Sequence, residues 1–240
     1  MVSPPVARLV WPRTHRLVMA HYPPVDIYDD IASPEDWALL TAAVQRSNPR
    51  IRAAIGDLSL VPVERRLSGP GADGVMAAFT HISPDRVSRF SDGSYGVYYA
   101  GESTDTALHE HGFHMGRFYA ATDEAPGWIG EVRELVGSID AALIDLRGGG
   151  FGDLLHPDPA RYGPAQDFAR TARAEGADGI VYPSLRRPGG ECIAAFWPDV
   201  VSPARQGEHY RYHWDGARID YARQITGERG IYRLDIRSGC

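Results

Sequence analysis

A chain of 240 residues with 43% apolar side chains and a formal charge of −6 has room for one large domain with a real core, which excludes global disorder. The acidic balance weighs against a nucleic-acid partner, no apolar run reaches the length of a membrane span, and two cysteines, Cys192 and Cys240, cannot form a disulfide framework or a zinc site alone. Met1-Val2-Ser3-Pro4-Pro5 shows no signal-peptide core, so a reducing, cytoplasmic location is expected.

Residues 1 to about 30 hold Pro4, Pro5, Pro12, Pro23 and Pro24 and read as an extended arm with little regular structure. Ser33-Pro34-Glu35-Asp36 starts a helix with a serine cap, proline at the first position and acids in the first turn. Trp37, Leu40, Thr41 and Val44 share a face of it, Asn48-Pro49 ends it, and a short second helix is expected around 50–56. Leu67-Ser68-Gly69-Pro70-Gly71 is the clearest loop and divides an N-terminal arm and helical extension (1–70) from the main domain (71–240).

Val75 to His81 and Val97 to Ala100 read as strands. Ser103 or Thr104 caps a helix to about Ala120, with Ala107, Leu108, His111, Met115 and Phe118 on its inner face. Ile129 to Val136 and Ala141 to Leu146 read as two strands, and Pro159 to Glu175 as a helix closed by Gly176. Gly179 to Tyr182 and Cys192 to Phe196 are apolar runs bounded by turn residues and read as core strands. His209 to Trp214 and Ala217 to Tyr221 flank Asp215-Gly216 as a hairpin, and Ile231 to Ile236 adds a further strand. Hairpins mixed with helices favour an α+β sheet core over a doubly wound parallel sheet.

Arg147-Gly148-Gly149-Gly150-Phe151-Gly152-Asp153 lacks the spacing of a dinucleotide fingerprint, no Walker-type loop is present, and the stretch reads as a turn. His109, His111 and His114 cluster on one helix, but not with the spacing of a metalloprotease pair. No Gly-x-Ser-x-Gly elbow occurs, and Cys192 sits in an apolar strand, where a thiol is inert. Arg65-Arg66 and Arg186-Arg187 read as solvated surface. Arg89, Tyr99 and Glu110 stand apart, because the chain between them runs from loop to strand to helix. A loop arginine can fork onto a diphosphate, a strand tyrosine can stack on a flat ring, and a glutamate near a helix start can aim negative charge into a cleft. The same residues also fit a surface ion pair and a core tyrosine.

Arg89-Phe90-Ser91-Asp92-Gly93, with Gly96-Val97-Tyr98-Tyr99-Ala100 and Thr106-Ala107-Leu108-His109-Glu110, resembles the first signature of the RES-domain toxins. Glu175-Gly176-Ala177-Asp178-Gly179-Ile180-Val181-Tyr182-Pro183-Ser184-Leu185-Arg186, followed by the strand from Cys192 to Pro198, resembles the second. The resemblance spans about residues 75–200, and the family's name-giving arginine, glutamate and serine map onto Arg89, Glu110 and Ser184. It implies a fold like that of ADP-ribosyltransferase toxins, a mixed or antiparallel sheet core with flanking helices, here with an N-terminal helical extension. It implies the toxin of a bacterial toxin–antitoxin pair that cleaves the nicotinamide–ribose bond of NAD⁺ and passes ADP-ribose to a protein, phosphate or water. NAD⁺ is then the substrate and no metal is expected. Glu110, Arg89 and Ser184 would be catalytic, and Arg89, Tyr99 and Ser184 would hold the dinucleotide. The implied partners are an Xre-type antitoxin that blocks the active site and a protein target, with no direct nucleic acid and no membrane. Some relatives carry a further arginine on the strand placed here at 75–81. This chain reads Ala78-Phe79-Thr80-His81 there, the nearest arginine is Arg86, and His81 is the candidate substitute. The competing readings are a non-catalytic nucleotide- or partner-binding module, and a metal-dependent hydrolase built on His109, His111 and His114.

Overall fold

The computed structural model describes residues 3–20, 36, 39, 56–85 and 87–236. The helices expected from Ser33 and around 50–56, with Trp37, Leu40, Thr41 and Val44, lie outside the described residues, as do Arg86 and Cys240. Among the described residues, eight strands and three α-helices follow in the order β1 (Val6–Met19), α1 (Ala72–Thr80), β2 (Tyr98–Gly101), α2 (Thr104–Ala120), β3 (Gly127–Asp145), α3 (Gly163–Ala174), β4 (Gly179–Pro183), β5 (Glu191–Ala195), β6 (Arg205–Trp214), β7 (Ile219–Gln224) and β8 (Ile231–Arg233). The α+β class expected from the sequence is the one observed.

β3 organises the sheet. One edge pairs antiparallel with β1, from Val6 opposite Ile144 to Met19 opposite Val132. The other edge takes β6 along residues 127–136 and β4, in parallel, at Ile144 and Asp145. β4 pairs with β5, β5 with β2, and β2 returns to β1 through a single pair, His15 opposite Gly101. Strands β1, β2, β5, β4 and β3 therefore close a ring, and β6, β7 and β8 extend β3 as an antiparallel wing.

Three apolar layers hold this arrangement. Leu9, Tyr98, Leu135, Ile139, Leu143, Val181 and Ile193 from the ring strands meet Val75 and Phe79 of α1. Ala165, Ala169 and Ala172 of α3 cover Ile180, Tyr182, Cys192 and Ala194 together with Phe90. Ala107 and Leu108 of α2 cover Leu17, Val132, Tyr210, Tyr212, Trp214 and Ile219. Each large side chain buried in these layers contributes roughly 1.5–3 kcal/mol.

Several local expectations are corrected. The arm at 1–30 contains a long strand built into the main sheet, so the loop at 67–71 does not separate the sheet from what precedes it. Pro12 is tolerated because the β1–β3 register shifts between Trp11 and Thr14, where no ladder donor is needed. Residues 75–80 are helix, not strand, and His81 caps it: Ala72, Val75, Met76 and Phe79 are buried at i, i+3, i+4 and i+7, a period hidden when the segment is started at Val75. The two strands expected between 129 and 146 are one. The buried face of α2 holds Thr106, Ala107, Leu108, His109, Gly112 and Gly116, while Phe118 is exposed. The helix turns this way because its two glycines let it lie close against Ile219, Leu234 and Ile236.

Candidate active site

The loop before β2 is tied into one shape. Ser91 Oγ donates to Tyr95 O (2.6 Å) and accepts from Gly93 N (3.1 Å), Asp92 Oδ1 accepts from Ser94 N (3.0 Å), and Tyr95 OH donates to Phe90 O (2.7 Å). The Ser94 hydrogen bonds, helped by Arg170, hold the Asp92 carboxyl below its usual range. α3 grips the same loop through Gln166 Nε2, which donates to Ser88 O (2.9 Å).

Tyr99 reaches this loop from β2. Its hydroxyl lies 2.9 Å from Ser88 Oγ and accepts from Phe90 N (3.0 Å), so the strand tyrosine and the arginine loop form one unit. Burial pushes the phenol up to about 12, against the hydrogen bonds from Ser88 and Phe90 and the charge of Arg89. Arg89 is buried. It donates to His156 O (2.6 Å) and Tyr162 OH (3.1 Å), and its guanidinium lies 4.4 Å from the centre of the Tyr162 ring.

Glu110 lies on α2, whose start is fixed by the expected Ser103 cap, with Ser103 Oγ accepting from Thr106 N (3.2 Å). Ser184 Oγ donates to Glu110 Oε1 (2.6 Å), and Leu185 N donates to the same oxygen (3.1 Å). Ser184 Oγ in turn accepts from Arg186 N (3.2 Å) and Arg187 N (3.0 Å). The serine hydroxyl thus holds the carboxylate with its proton while its oxygen is fixed by two backbone N–H groups. The charges of Glu110 and Arg89 both reach Tyr182, Arg186 and His114, so the four expected site residues share one electrostatic neighbourhood.

Two arginines enter that the sequence reading did not assign. Arg186, read there as surface, is fully buried, because β4 and β5 carry its turn beneath α2: its guanidinium lies 3.3 Å from the centre of the Phe113 ring and donates to Pro157 O (2.5 Å). Its neighbour Arg187 pairs with Asp105. The other cluster read as surface is also engaged: Arg65 pairs with Asp178 (2.7 Å) and Asp199 (2.9 Å), and Arg66 donates to Val61 O and Leu58 O (2.8 Å each). Arg16 stands on β1 just past the single β1–β2 pair. Its Nη1 donates to Tyr99 O (3.2 Å) and its guanidinium lies 4.8 Å from the centre of the Tyr98 ring. β2 residues Tyr98 and Tyr99 have no β1 partner, so Arg16 occupies an opening between the two strands. Arg16 of β1 thus lies against the strand that carries Tyr99. His81 caps the C-terminus of α1, with its Nδ1 3.2 Å from Thr80 Oγ1. A charged residue in the middle of a buried-edge strand was the available signal for Arg16, but it required recognising β1.

The histidines diverge. His109 is buried with Nδ1 2.8 Å from Asp105 O, and His111 stacks on Tyr212 with ring centres 5.7 Å apart. His114 is exposed on one side, yet the surrounding protein desolvates it and, with Arg186, Arg117 and Arg89, pulls it down to about 4 against the effect of Glu110. Among the described residues, no three His, Cys, Asp or Glu side chains converge as metal ligands. Burial raises the Cys192 thiol well above its usual range, which leaves it unreactive. No helix of the described residues is long and apolar enough to cross a membrane.

Comparison with known proteins gives the family. The chain is 31% identical over 228 residues to the uncharacterized protein y4oC of Sinorhizobium fredii (strain NBRC 101917 / NGR234), covering 94% of this chain and 93% of that protein. A solved structure of the M. tuberculosis MbcT–MbcA toxin–antitoxin complex matches with 11% identity and a TM-score of 0.40, covering 88% of each chain. The family model for the RES domain matches residues 63–215, the span that contains Arg89, Tyr99, Glu110 and Ser184. The chain belongs to the RES-domain family.

Proposed function

We propose that this protein is the toxin of a toxin–antitoxin pair and that it cleaves the nicotinamide–ribose bond of NAD⁺, passing ADP-ribose to a protein, phosphate or water. Family membership supports the reading. The observation that carries it is the carboxylate of Glu110, held by Ser184 Oγ and Leu185 N on Oε1 and set in a neighbourhood rich in guanidinium groups. A carboxylate with the guanidinium groups of Arg89 and Arg186 in its electrostatic neighbourhood suits a diphosphate.

Breaking the bond to nicotinamide leaves an oxocarbenium-like ribose, and glycosidic enzymes stabilise such a centre with a carboxylate. Glu110 accepts a hydrogen bond from the ribose 2′-hydroxyl and favours the positive charge as it develops, which is stabilisation specific to the transition state. Ser184 fixes which oxygen of Glu110 stays free. Arg16 and Arg89 face the diphosphate, and the ring of Tyr99 faces the nicotinamide. Nicotinamide leaves as a neutral base, so the site needs no strong acid. An antitoxin of the Xre type is the partner that would cover this cleft.

The test is incubation with NAD⁺, with and without phosphate and cell lysate, and mass spectrometry of the products. Nicotinamide should appear together with ADP-ribose, ADP-ribose 1″-phosphate or a modified protein. Glu110→Gln should keep the fold and lose on the order of 10²-fold in rate, the scale for removing one transition-state stabiliser. Undiminished turnover in that variant would sink the assignment.

A further inference from the structure

Arg16, Tyr99 and Glu110 stand on β1, β2 and α2, yet β1 and β2 share only one pair, His15 with Gly101. At that pair lies a buried polar joint that takes no part in the chemistry above. His15 Nδ1 is 2.7 Å from Glu134 Oε1, and Thr104 Oγ1 donates to the same oxygen (2.8 Å) while lying 3.1 Å from His15 Nδ1. The other oxygen, Oε2, faces Glu208 N at 3.5 Å. His15 is 6% exposed and Glu134 3%, so solvent does not screen these contacts. Burial opposes ionisation of Glu134, but the His15 and Thr104 contacts outweigh it and hold the carboxyl below its usual range.

The backbone is shaped to admit the joint. A Cβ on Gly207 would meet Glu134 Oε2 at 2.6 Å, so the glycine leaves the room the carboxylate fills. A Cβ on Gly101 would meet Ala107 N and Thr106 Cβ at 3.1 Å, so α2 packs closely against the residue opposite His15. Two partners of Glu134, His15 and Thr104, and Gly101, the residue paired with His15, lie on elements that carry site residues. His15 precedes Arg16 in the strand opening. Gly101 ends the strand that carries Tyr99. Thr104 begins the helix that carries Glu110.

We propose that Glu134, acting through His15 and Thr104, is a positioning residue: it locks β1, β2 and α2 into the one arrangement in which Arg16, Tyr99 and Glu110 address the same ligand. A buried carboxylate with several partners costs desolvation energy that an apolar side chain would not. What it supplies is direction, since its oxygens accept only where donors are placed. The inference rests on the NAD⁺ reading for its kinetic arm alone.

The test uses the full chain with Glu134→Gln, Thr104→Val and Thr104→Ser, studied well below their melting temperatures. In Glu134→Gln and Thr104→Val, amide hydrogen exchange should rise at 15–19, 98–101 and 104–110 and stay unchanged in α3. kcat/KM for NAD⁺ per folded molecule should fall about tenfold, within the range expected for a small misplacement of reacting groups. Thr104→Ser, which keeps the hydroxyl, should behave as the parent chain. Unchanged exchange in those segments, a rise spread evenly over the sheet, or a local rise with normal kcat/KM in an active protein would each overturn the proposal. If the parent chain makes no nicotinamide, the NAD⁺ reading fails by itself, and the exchange pattern still decides whether the joint positions the three elements.

Discussion

Ser184 shows how a single hydroxyl can be held by several partners at once. Its proton goes to Glu110, and its lone pairs take two backbone N–H groups from its own turn. The sequence placed Ser184 beside Glu110 only through a family signature, and it could not reveal that Arg186, two residues on, is fully buried. Two adjacent arginines look like surface in any one-dimensional reading. Phe113 and the Pro157 carbonyl, which make the burial affordable, come from distant segments. His111 leads to a prediction at the same scale. Burial, with the charges of His114 and Arg16, depresses it from 6.5 to about 3, and its Nδ1 lies 3.1 Å from Tyr212 OH. The unfolded chain takes up this proton near pH 6.5, whereas the folded chain does so only near pH 3. Between those values the unfolded state binds more protons, so stability falls as pH is lowered. The urea midpoint should drop between pH 7 and pH 4, and His111→Gln should flatten part of that slope. An equal drop in the variant would remove His111 as the cause.

Helix α2 shows what was legible at the scale of elements. Its start and end were readable because capping is local: Ser103 presents an acceptor to Thr106 N, and no tertiary contact is needed to see it. Its buried face was not readable, because Gly112 and Gly116 carry no apolar side chain and yet define the side that packs closest. Helix α1 failed for a related reason, its first buried residue, Ala72, being weakly apolar and adjacent to a loop. The turn–strand signals of β4, β5 and the β6–β7 hairpin held, because each is a local pairing bounded by turn residues. The cap also leads to a test. Ser103→Ala leaves Thr106 N without its side-chain acceptor and should cost about 1 kcal/mol of stability, with Ser103→Thr retaining most of it. Chemical denaturation of the three chains measures this, and a neutral Ser103→Ala would show that the Ser103 hydroxyl does not stabilise the helix.

The whole molecule depends on a contact that no local pattern encodes. β1 joins β3 from Val132 to Ile144, and the joint between them links His15 to Glu134, 119 positions apart. The prolines around it bias a reading toward an irregular arm, and only the register shift at Pro12 shows how a strand accommodates one of them. Long-range pairing of this kind closes the ring, covers one edge of β3 and brings Arg16 against the carbonyl of Tyr99. If the ring is the cooperative unit, a chain beginning at residue 57 lacks one wall of the core as well as an arginine. Leu9 and Leu17 are then missing from two of the three apolar layers, and the edge of β3 from Val132 to Ile144 is left unpaired. An exposed apolar edge of that length invites association with other chains. The truncated protein should show no sharp thermal transition, little near-ultraviolet circular dichroism and a tendency to aggregate. Adding residues 1–20 as a separate peptide should restore part of the signal. A truncated chain that unfolds cooperatively as a monomer would show that β1 decorates the sheet and does not complete it.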